Sequence, residues 1–587
     1  MSAGPAVASE AAFDTALGDP DEWAREAVAL DDSEHFPAAR CAQLDELGLP
    51  ATFVPQRWGG TVEDHELSLR LWRSVARRDL ATAVAHGKTY LGAAPVWIAG
   101  TPEQARGAAG RILAGEPVAW ALSEPEHGAD LLAGSVTARP AEGGGHRLDG
   151  TKWPINNATR AGLLTVLART GSAHGPRDQS LFLVDKTDLA PGTWRALPKV
   201  PTHGIRGIDI SGIEFTGAAV PDGAMIGPEG SGIETVLRAL QLTRTMCTAL
   251  SLGAGEQGLR IGARFVAERV IQRRPLIDRP YPAAVLGRAA ALLAAAEAAA
   301  LVAARSLHAL TGEMSVASAV VKAAVPDLVD AALSDLAELL GARSFLTGVY
   351  AHGAFQKLRR DHRIVAVFDG STPVNRAALV LQFPRLAACQ AAAEFDVEGL
   401  AEAVAPGTGL RPLDRDALTL FSRHGCSPVQ SLPTLCAAIA AADGPAGLAE
   451  HAAGLAGAAR RVRTLMSEVR PSARPPAASY ELAAAYELCY VGAACLHLWA
   501  TVGTSKAAEP LWADALWVRC ALRAVRHRLA DVLRTAAPGP VAGDDYLDAR
   551  WSRAIADAAL TGAPVTPFGI ALPFPALLAD EVLGRLR

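Results

Sequence analysis

The sequence has few of the features that define several large classes of protein. Its 587 residues include eight cysteines but no Cys-x-x-Cys pair, which fits neither a zinc ribbon nor a secreted disulfide framework. The net charge is only −5, so the composition gives no reason to expect nucleic acid as a partner. Aromatic residues make up 5% of the chain, yet hydrophobic residues reach 50%, too many for a disordered protein. These values predict a globular protein with reduced thiols.

Signals for export and for membrane insertion are also weak. Residues 1–9 contain no basic residue and no continuous apolar core, so we expect no secretory signal and a cytoplasmic location. The uncharged stretch 488–505 is nearly long enough to span a bilayer. Because it contains Gly492 and His497 and lies among amphipathic segments, we interpret it as a buried bundle helix that does not span a membrane. The sequence has no HExxH motif or clustered ligand set, and we expect no metal site.

The pattern of apolar and turn residues changes several times along the chain and predicts a mainly α protein with a central β domain. Helical spacing dominates at first, short β-type runs separated by turn residues follow, and long alanine-rich helical segments come last. The predicted parts are a flexible N-terminus (1–20), a helical domain (21–117), an antiparallel β-barrel or sheet domain (118–228), a four-helix bundle (229–387) and an additional helical domain (388–587).

Two segments of the predicted β domain carry the most specific pattern. They read SEPEHGAD at residues 123–130 and KWPINNA at residues 152–158. This arrangement resembles the acyl-CoA dehydrogenase family, whose sheet domain contains T-E-P-x-x-G-S-D followed by G-x-K-x-x-I-x-N-A. The resemblance extends, in the family's order, over about residues 25–385. It implies FAD as the cofactor and the family's order of helical domain, sheet domain and helical bundle.

The resemblance also implies which residues hold the flavin ring. Backbone amides and a hydroxyl must face the polar edge of the ring, and Gly128 permits a close backbone approach. The family usually has Ser where Ala129 stands, and often Thr where Asn156 stands. The implied flavin contacts in these two segments are Leu122, Ser123, Gly128, Ala129, Pro154, Ile155 and Asn156.

The rest of the cofactor site follows from two further segments and from the turn before the last bundle helix. In the family, R-x-x-F-G and Q-x-x-G-G-x-G segments hold the adenine and pyrophosphate of FAD from a neighbouring subunit. The residues at these positions are Arg269, Gln272, Glu338 and Gly341, of which only Arg269 and Gly341 keep the family's residue type; Ser371 lies on the turn. Arg273 or Arg343 could compensate for the missing glycine as bidentate phosphate partners. The resemblance therefore implies a homodimer or homotetramer.

The catalytic base is implied by the segment RDHRIVAVFDGST at residues 360–372. The family places a carboxylate either on the first bundle helix, where Thr243 stands, or in an E-G-T motif, where Asp369 stands. Asp369 is therefore the implied base, although its side chain is shorter than that of glutamate by one methylene, about 1.5 Å. A turn or helix cap is the alternative role for Asp369. The implied substrate contacts are Thr243, Arg244, Phe368 and Gly370.

The activity implied is oxidation of an acyl thioester, carried by coenzyme A or by an acyl carrier protein, to the trans-2-enoyl thioester. Asp369 would abstract the α-proton and flavin N5 would accept the β-hydride, with electrons passing to an acceptor flavoprotein. Two alternatives stay open: a flavin-dependent monooxygenase on the same fold, and a non-catalytic scaffold. Residues 388–587 exceed the length of compact members, and we expect them to cover a surface or to support a dimer or membrane contact.

Overall fold

A computed structural model of the protein describes residues 5–172, 175–442, 444–470, 472, 474–541, 544 and 547–572. The described chain divides into two compact units. One contains residues 5–18, 29–75 and 79–243; the other contains residues 19–28, 76–78 and the described residues from Arg244 onward.

The N-terminal part of the chain is helical. Its helices are α1 (Glu10–Leu17), α2 (Pro20–Asp32), α3 (Ala38–Glu46), α4 (His65–Arg78), α5 (Leu80–Ala99) and α6 (Pro102–Leu113). The presence of α1 corrects the prediction of a flexible segment over residues 1–20. Phe13 and Leu17 stand four residues apart on one face of α1 and are fully buried, so their burial stabilises the helix.

An eight-stranded sheet follows these helices. Its strands are β1 (Val118–Ala121), β2 (Thr137–Pro140), β3 (His146–Asn156), β4 (Leu163–Arg169), β5 (Gln179–Asp185), β6 (Trp194–Leu197), β7 (Ile210–Val220) and β8 (Met225–Ile226). The order is β6-β7-β3-β2-β4-β5-β8, and β1 pairs with β4. The sheet is mixed rather than purely antiparallel, because β1 and β2 both run parallel to β4.

The helices and the sheet of this unit meet at Gly92 in α5. A Cβ added at Gly92 would lie 2.5 Å from the carbonyl oxygen of Val118, so only glycine permits this approach. The Thr165 hydroxyl on β4 donates to the Gly92 carbonyl at 2.7 Å. This contact fixes α5 against β1, the strand that leads into the SEPEHGAD segment.

The second unit is almost entirely helical. Its first elements are α7 (Gly232–Met246), which begins in the other unit, α8 (Thr248–Glu268), a small hairpin of β9 (Val270–Ile271) and β10 (Arg274–Pro275), α9 (Pro280–Ala309), α10 (Met314–Leu340), α11 (Ala354–His362) and α12 (Thr372–Val380). The remaining elements are α13 (Phe383–Ala392), α14 (Val397–Ala403), α15 (Ser427–Gln430), α16 (Leu432–Ala441), α17 (Leu448–Glu468), α18 (Ala477–Val502), α19 (Leu516–Leu533) and α20 (Leu547–Thr561).

Residues 388–572, called the C-terminal extension from here on, pack directly against the bundle. Helix α9 contacts α8 and α10 of the bundle and also α14, α18, α19 and α20 of the extension. Neighbours on all sides explain why α9 is apolar around its whole circumference, with alanine allowing close helix approach. The extension therefore completes the burial of the central bundle helix.

Buried polar contacts fix the extension on the bundle. The Arg305 guanidinium on α9 donates to the Glu402 carbonyl at 2.8 Å, and the Glu297 carboxylate accepts from the Thr566 hydroxyl at 3.0 Å. The Trp551 indole, which is fully buried, donates to the Gly287 carbonyl at 3.0 Å. Because hydrogen bonds are directional, these contacts define the position and orientation of the extension on the bundle.

Two helices of the described chain, Pro280–Ala309 and Ala477–Val502, are long and apolar enough to cross a membrane by length and composition. In both, 94% of the most apolar window is buried inside the protein, which is also the behaviour of core helices. The uncharged stretch that begins at Leu488 thus forms a buried helix, as predicted.

Candidate active site

The SEPEHGAD and KWPINNA segments are joined by a buried ion pair. The Lys152 ammonium on β3 donates to the Glu124 carboxylate at 2.8 Å and to the Leu122 carbonyl at 3.0 Å. The Glu124 carboxylate also accepts from the amide and the hydroxyl of Ser135. Burial opposes ionisation of Glu124, but the Lys152 charge and these hydrogen bonds outweigh it and lower the pKa of Glu124 to about 2.

This pair fixes the backbone that the sequence assigns to the flavin ring. The Trp153 amide donates to the Ser123 carbonyl at 2.9 Å, which aligns Leu122 and Ser123 beside Pro154 and Ile155. A tight turn follows, with paired backbone hydrogen bonds between Glu124 and His127. Gly128 and Ala129 lie after this turn and are exposed, and a Cβ added at Gly128 would meet no protein atom within 4 Å.

Two predicted contact residues of this unit have buried polar atoms without a partner among the described residues. Both amide atoms of Asn156, at the end of β3, make no hydrogen bond. The Thr243 hydroxyl on α7 is likewise buried and unpaired. A buried polar group without a partner is costly, so such groups mark places where a bound molecule supplies the missing hydrogen bonds. The unpaired amide of Asn156 fits a residue that faces the polar edge of a flavin.

Asp369 lies in the second unit, on the turn between α11 and α12. Its φ is 56°, a left-handed conformation that aspartate tolerates better than most residues, and Gly370 follows with a φ of 92°. One carboxylate oxygen of Asp369 accepts from the Cys247 thiol at 3.2 Å. The N-cap position of α12 is held by Ser371 rather than by Asp369. The carboxylate of Asp369 thus contacts the residue that follows α7.

The backbone of Asp369 is held by a side chain of α7. The Arg244 guanidinium, at the end of α7, donates to the Asp369 carbonyl at 3.1 Å. Burial lowers the pKa of Arg244 to about 10, and the charge of Asp369 opposes this shift. Gly370 is required for its φ, and a Cβ added there would also displace the Arg244 side chain, whose Nη2 lies 2.9 Å away.

Lys322 and Asn375 complete the support of this turn, and the sequence analysis missed both of them. The Lys322 side chain is fully buried in α10, and its ammonium donates to the Val365 carbonyl at 2.6 Å and to the Gly370 carbonyl at 3.3 Å. It also lies 5.2 Å from the centre of the Phe368 ring, within the range of a cation–π contact. The Asn375 amide on α12 donates to the Gly370 carbonyl at 2.8 Å. A lysine within an otherwise apolar helical segment is the only sequence signal that could have indicated Lys322.

The residues predicted to hold the far end of the cofactor are all exposed on the second unit. Arg269 precedes the β9–β10 hairpin, and Gln272 lies in its turn with a φ of 52°. Glu338 lies in the last turn of α10 and receives a hydrogen bond from the Tyr281 hydroxyl on α9. Gly341 follows α10 with a φ of 57°. Large apolar side chains of the same segments are exposed, namely Val270, Ile271, Tyr281, Phe345 and Leu346.

Comparison with known proteins matches three consecutive family models to this chain. The acyl-CoA dehydrogenase N-terminal domain matches residues 20–116, the middle domain matches 119–218 and the C-terminal domain matches 230–381. The mitochondrial short-chain specific acyl-CoA dehydrogenase of Homo sapiens is 28% identical over 353 residues, which cover 59% of this chain and 83% of that protein.

Solved structures show the same fold. Butyryl-CoA dehydrogenase from Megasphaera elsdenii superposes with a TM-score of 0.58 at 21% identity and covers 62% of this chain and 95% of its own. An acyl-CoA dehydrogenase from Bacillus anthracis, complexed with FAD, has a TM-score of 0.65 at 18% identity and covers 93% of this chain and 90% of its own. The likeness in fold to the second structure therefore extends beyond the bundle into the C-terminal extension.

The fold and the matched domains define a flavoenzyme of the acyl-thioester dehydrogenase class. The chain belongs to the acyl-CoA dehydrogenase family. It is an oxidoreductase that acts on CH–CH donors, and its cofactor is FAD. The predicted family, fold class and cofactor are confirmed.

Proposed function

We propose that the protein oxidises a saturated acyl thioester to the trans-2-enoyl thioester, with Asp369 as the base that removes the α-proton. The observation that carries this proposal is the support of the Asp369 turn by Arg244, Lys322 and Asn375, with Cys247 as the hydrogen-bond partner of the carboxylate. A base must come within hydrogen-bond distance of the proton that it removes. Because the aspartate side chain is short, its backbone must be held in the right place for the carboxylate to reach that proton.

The flavin side of the reaction follows from the first unit. Leu122 and Ser123 would bind the ring through the backbone that Glu124 and Lys152 fix, and Asn156 would supply its unpaired amide. Bound FAD supplies the acceptor for the β-hydride. Arg244 at the end of α7, with Phe368 and Gly370 on the turn, would contact the acyl thioester in the second unit. Thr243 of the first unit has a buried hydroxyl without a hydrogen-bond partner among the described residues, which would bind a polar group of a ligand.

The working protein is, in this proposal, a homodimer or a homotetramer. The exposed positions of Arg269, Gln272, Glu338 and Gly341 suit a site completed by the cofactor of a second subunit. The exposed apolar side chains beside them, of which Phe345 is 84% exposed, would be covered in such an assembly. The reduced cofactor would pass its electrons to a separate flavoprotein, and the acyl group would arrive on coenzyme A or on a carrier protein.

The proposal is tested by replacing the base with its uncharged isostere. We expect Asp369→Asn to bind FAD normally but to lose about 10²–10⁴-fold in the rate of flavin reduction by acyl thioesters, the typical effect of removing a general base. The measurement is anaerobic stopped-flow bleaching of the flavin band with a panel of acyl thioesters.

Asp514→Asn is the matched control, because Asp514 is an exposed aspartate of the extension, has a similar φ of 54° and pairs with Arg550 at 2.7 Å. It should reduce its flavin at the wild-type rate. Full turnover by Asp369→Asn would overturn the assignment of the base. Oxygen-dependent product formation without flavin bleaching would favour a monooxygenase, and a protein that cannot bind FAD at all would favour the scaffold.

A further inference from the structure

The extension contacts the element that begins directly after Asp369. Helix α12 starts at Thr372, and the Asn375 amide donates to the carbonyls of Gly370 and Ser371 at 2.8 and 3.1 Å. Because these hydrogen bonds join α12 to the turn, a shift of α12 moves the backbone that carries Asp369.

One residue later on α12, Arg376 forms an ion pair with Glu487 of α18. The guanidinium is bidentate, with Nε 3.0 Å from one carboxylate oxygen and Nη2 3.0 Å from the other. Only 2% of the Glu487 side chain and 22% of the Arg376 side chain are exposed. A bidentate pair of this kind fixes orientation as well as distance, so it specifies where α12 lies against α18.

Glu487 stands in surroundings that disfavour a charge. Glu481 and Glu487 are the only Asp, Glu, Lys or Arg residues in the 26-residue helix α18, and the residues on either side of Glu487 are buried. Burial raises its pKa to about 7, although the Arg376 guanidinium opposes that shift and Asp327 adds to it. Replacing a buried ion pair with apolar side chains is often neutral or stabilising, so such pairs are weak evidence for a role in stability. The pair is better explained by its effect on geometry, because it sets the position of α12 against α18.

We propose that Glu487 of the C-terminal extension is a positioning residue for the catalytic turn and acts through Arg376 on α12 to hold Asp369 in reach of the substrate. The extension is thereby part of the active-site support as well as a cover for the bundle. This inference rests on the proposed function of Asp369 as the base.

Helix α18 supplies its own control, since its other acidic residue, Glu481, is exposed and pairs with Arg534 at 2.9 Å. We expect Glu487→Gln to lower kcat by about tenfold, equivalent to about 1.4 kcal/mol of transition-state stabilisation, with unchanged flavin content and KM. Glu481→Gln should leave kcat at the wild-type value. The measurements are steady-state kinetics with an artificial electron acceptor, the flavin spectrum and thermal unfolding of the holoenzyme.

Two double variants separate positioning from folding. The double variant Arg376→Met with Glu487→Met should have higher thermal stability than Glu487→Gln, because the apolar pair fills the space. Its kcat should stay as low as that of Glu487→Gln, because the apolar pair does not fix the orientation of α12. Arg376→Glu with Glu487→Arg should restore kcat at least in part, and it provides the test if Glu487→Gln does not fold. Wild-type kcat in Glu487→Gln, or in the double methionine variant, would overturn the inference.

Asp369→Asn is assayed in parallel to distinguish the two levels of failure. If Asp369→Asn is inactive while every Glu487 variant turns over normally, only the role of the extension is wrong. If Asp369→Asn remains fully active, the proposed base is wrong and the inference falls with it.

Discussion

At the scale of single residues, Lys322 shows how a buried charge can serve a backbone turn. Its ammonium is within hydrogen-bond distance of the carbonyls of Val365 and Gly370, which lie on either side of Asp369. Backbone carbonyls at a turn have no partner from regular secondary structure, and leaving them unpaired in a buried site is costly. The lysine therefore supplies hydrogen bonds that the turn cannot make for itself.

Lys322→Met keeps the length of the side chain but removes its donors. We expect the free energy of unfolding to fall by about 1–3 kcal/mol, the cost of leaving the buried Val365 carbonyl unsatisfied, because the Gly370 carbonyl keeps its hydrogen bond from Asn375. We also expect kcat to fall by at least about tenfold, because the turn is no longer fixed. Chemical denaturation and steady-state kinetics measure the two effects. Lys506→Met, at a partly exposed lysine of the extension that pairs with Glu509, should leave kcat unchanged. Wild-type kcat in Lys322→Met would show that the turn needs no support from α10.

At the scale of elements, the sequence predicted what local pattern can encode. The motifs indicated Asp369, Ser123 and Asn156 because each stands in a short segment with a specific order of residues. Local pattern cannot reveal partners that come from distant helices. Arg376 and Glu487 are 111 residues apart, and Lys322 is 48 residues from Gly370. The sequence pattern also did not predict that β1 and β2 pair in parallel with β4. The alternation of apolar and polar residues along a strand does not indicate the direction of its neighbour.

The contact between the start of α10 and the short helix α15 leads to a prediction about pH. The Glu313 carboxylate accepts from the amide of Ser427 at 2.7 Å and from its hydroxyl at 2.6 Å. Burial nevertheless raises the pKa of Glu313 from 4.5 to about 7, with Ser427 opposing the shift. A carboxyl group with a raised pKa in the folded state contributes its stability fully below pH 4.5 and loses it as the pH rises through about 7.

We therefore expect Glu313→Gln to be nearly as stable as the wild type at about pH 5 and more stable by about pH 8. The gap should widen by at most about 1.4 kcal/mol per pH unit, the limit for one proton. Thermal unfolding of both proteins across this range measures it. Glu509→Gln, at an exposed position, should give a difference that does not change with pH, and a constant gap for Glu313→Gln would contradict the account.

At the scale of the whole molecule, the C-terminal extension is continuous with the bundle in the second unit. Helices α18, α19 and α20 all contact α9, and fully buried side chains such as Trp551 belong to the shared interior. Helices in proteins gain most of their stability from packing against other helices. We therefore expect that neither the bundle nor the C-terminal extension keeps its structure without the other. The domain boundary near residue 388 that the sequence predicts remains a prediction.

Limited proteolysis within residues 470–476 tests this continuity. The segment reads RPSARPP, of which Pro471 and Ala473 lie outside the described residues, and it joins α17 to α18. We expect cleavage there to leave two fragments that co-elute in size-exclusion chromatography and separate only in denaturant. Native separation of the fragments would show instead that the part after the cut folds as an independent domain.

The most direct test of the central claim follows the α-proton itself. Holoenzyme is incubated without oxygen in D2O with an acyl thioester, and deuterium at the α-carbon of the recovered thioester is measured by mass spectrometry. If Asp369 is the base, the wild type exchanges this proton and Asp369→Asn, loaded with the same amount of FAD, does not. Equal exchange by the two proteins would contradict the account.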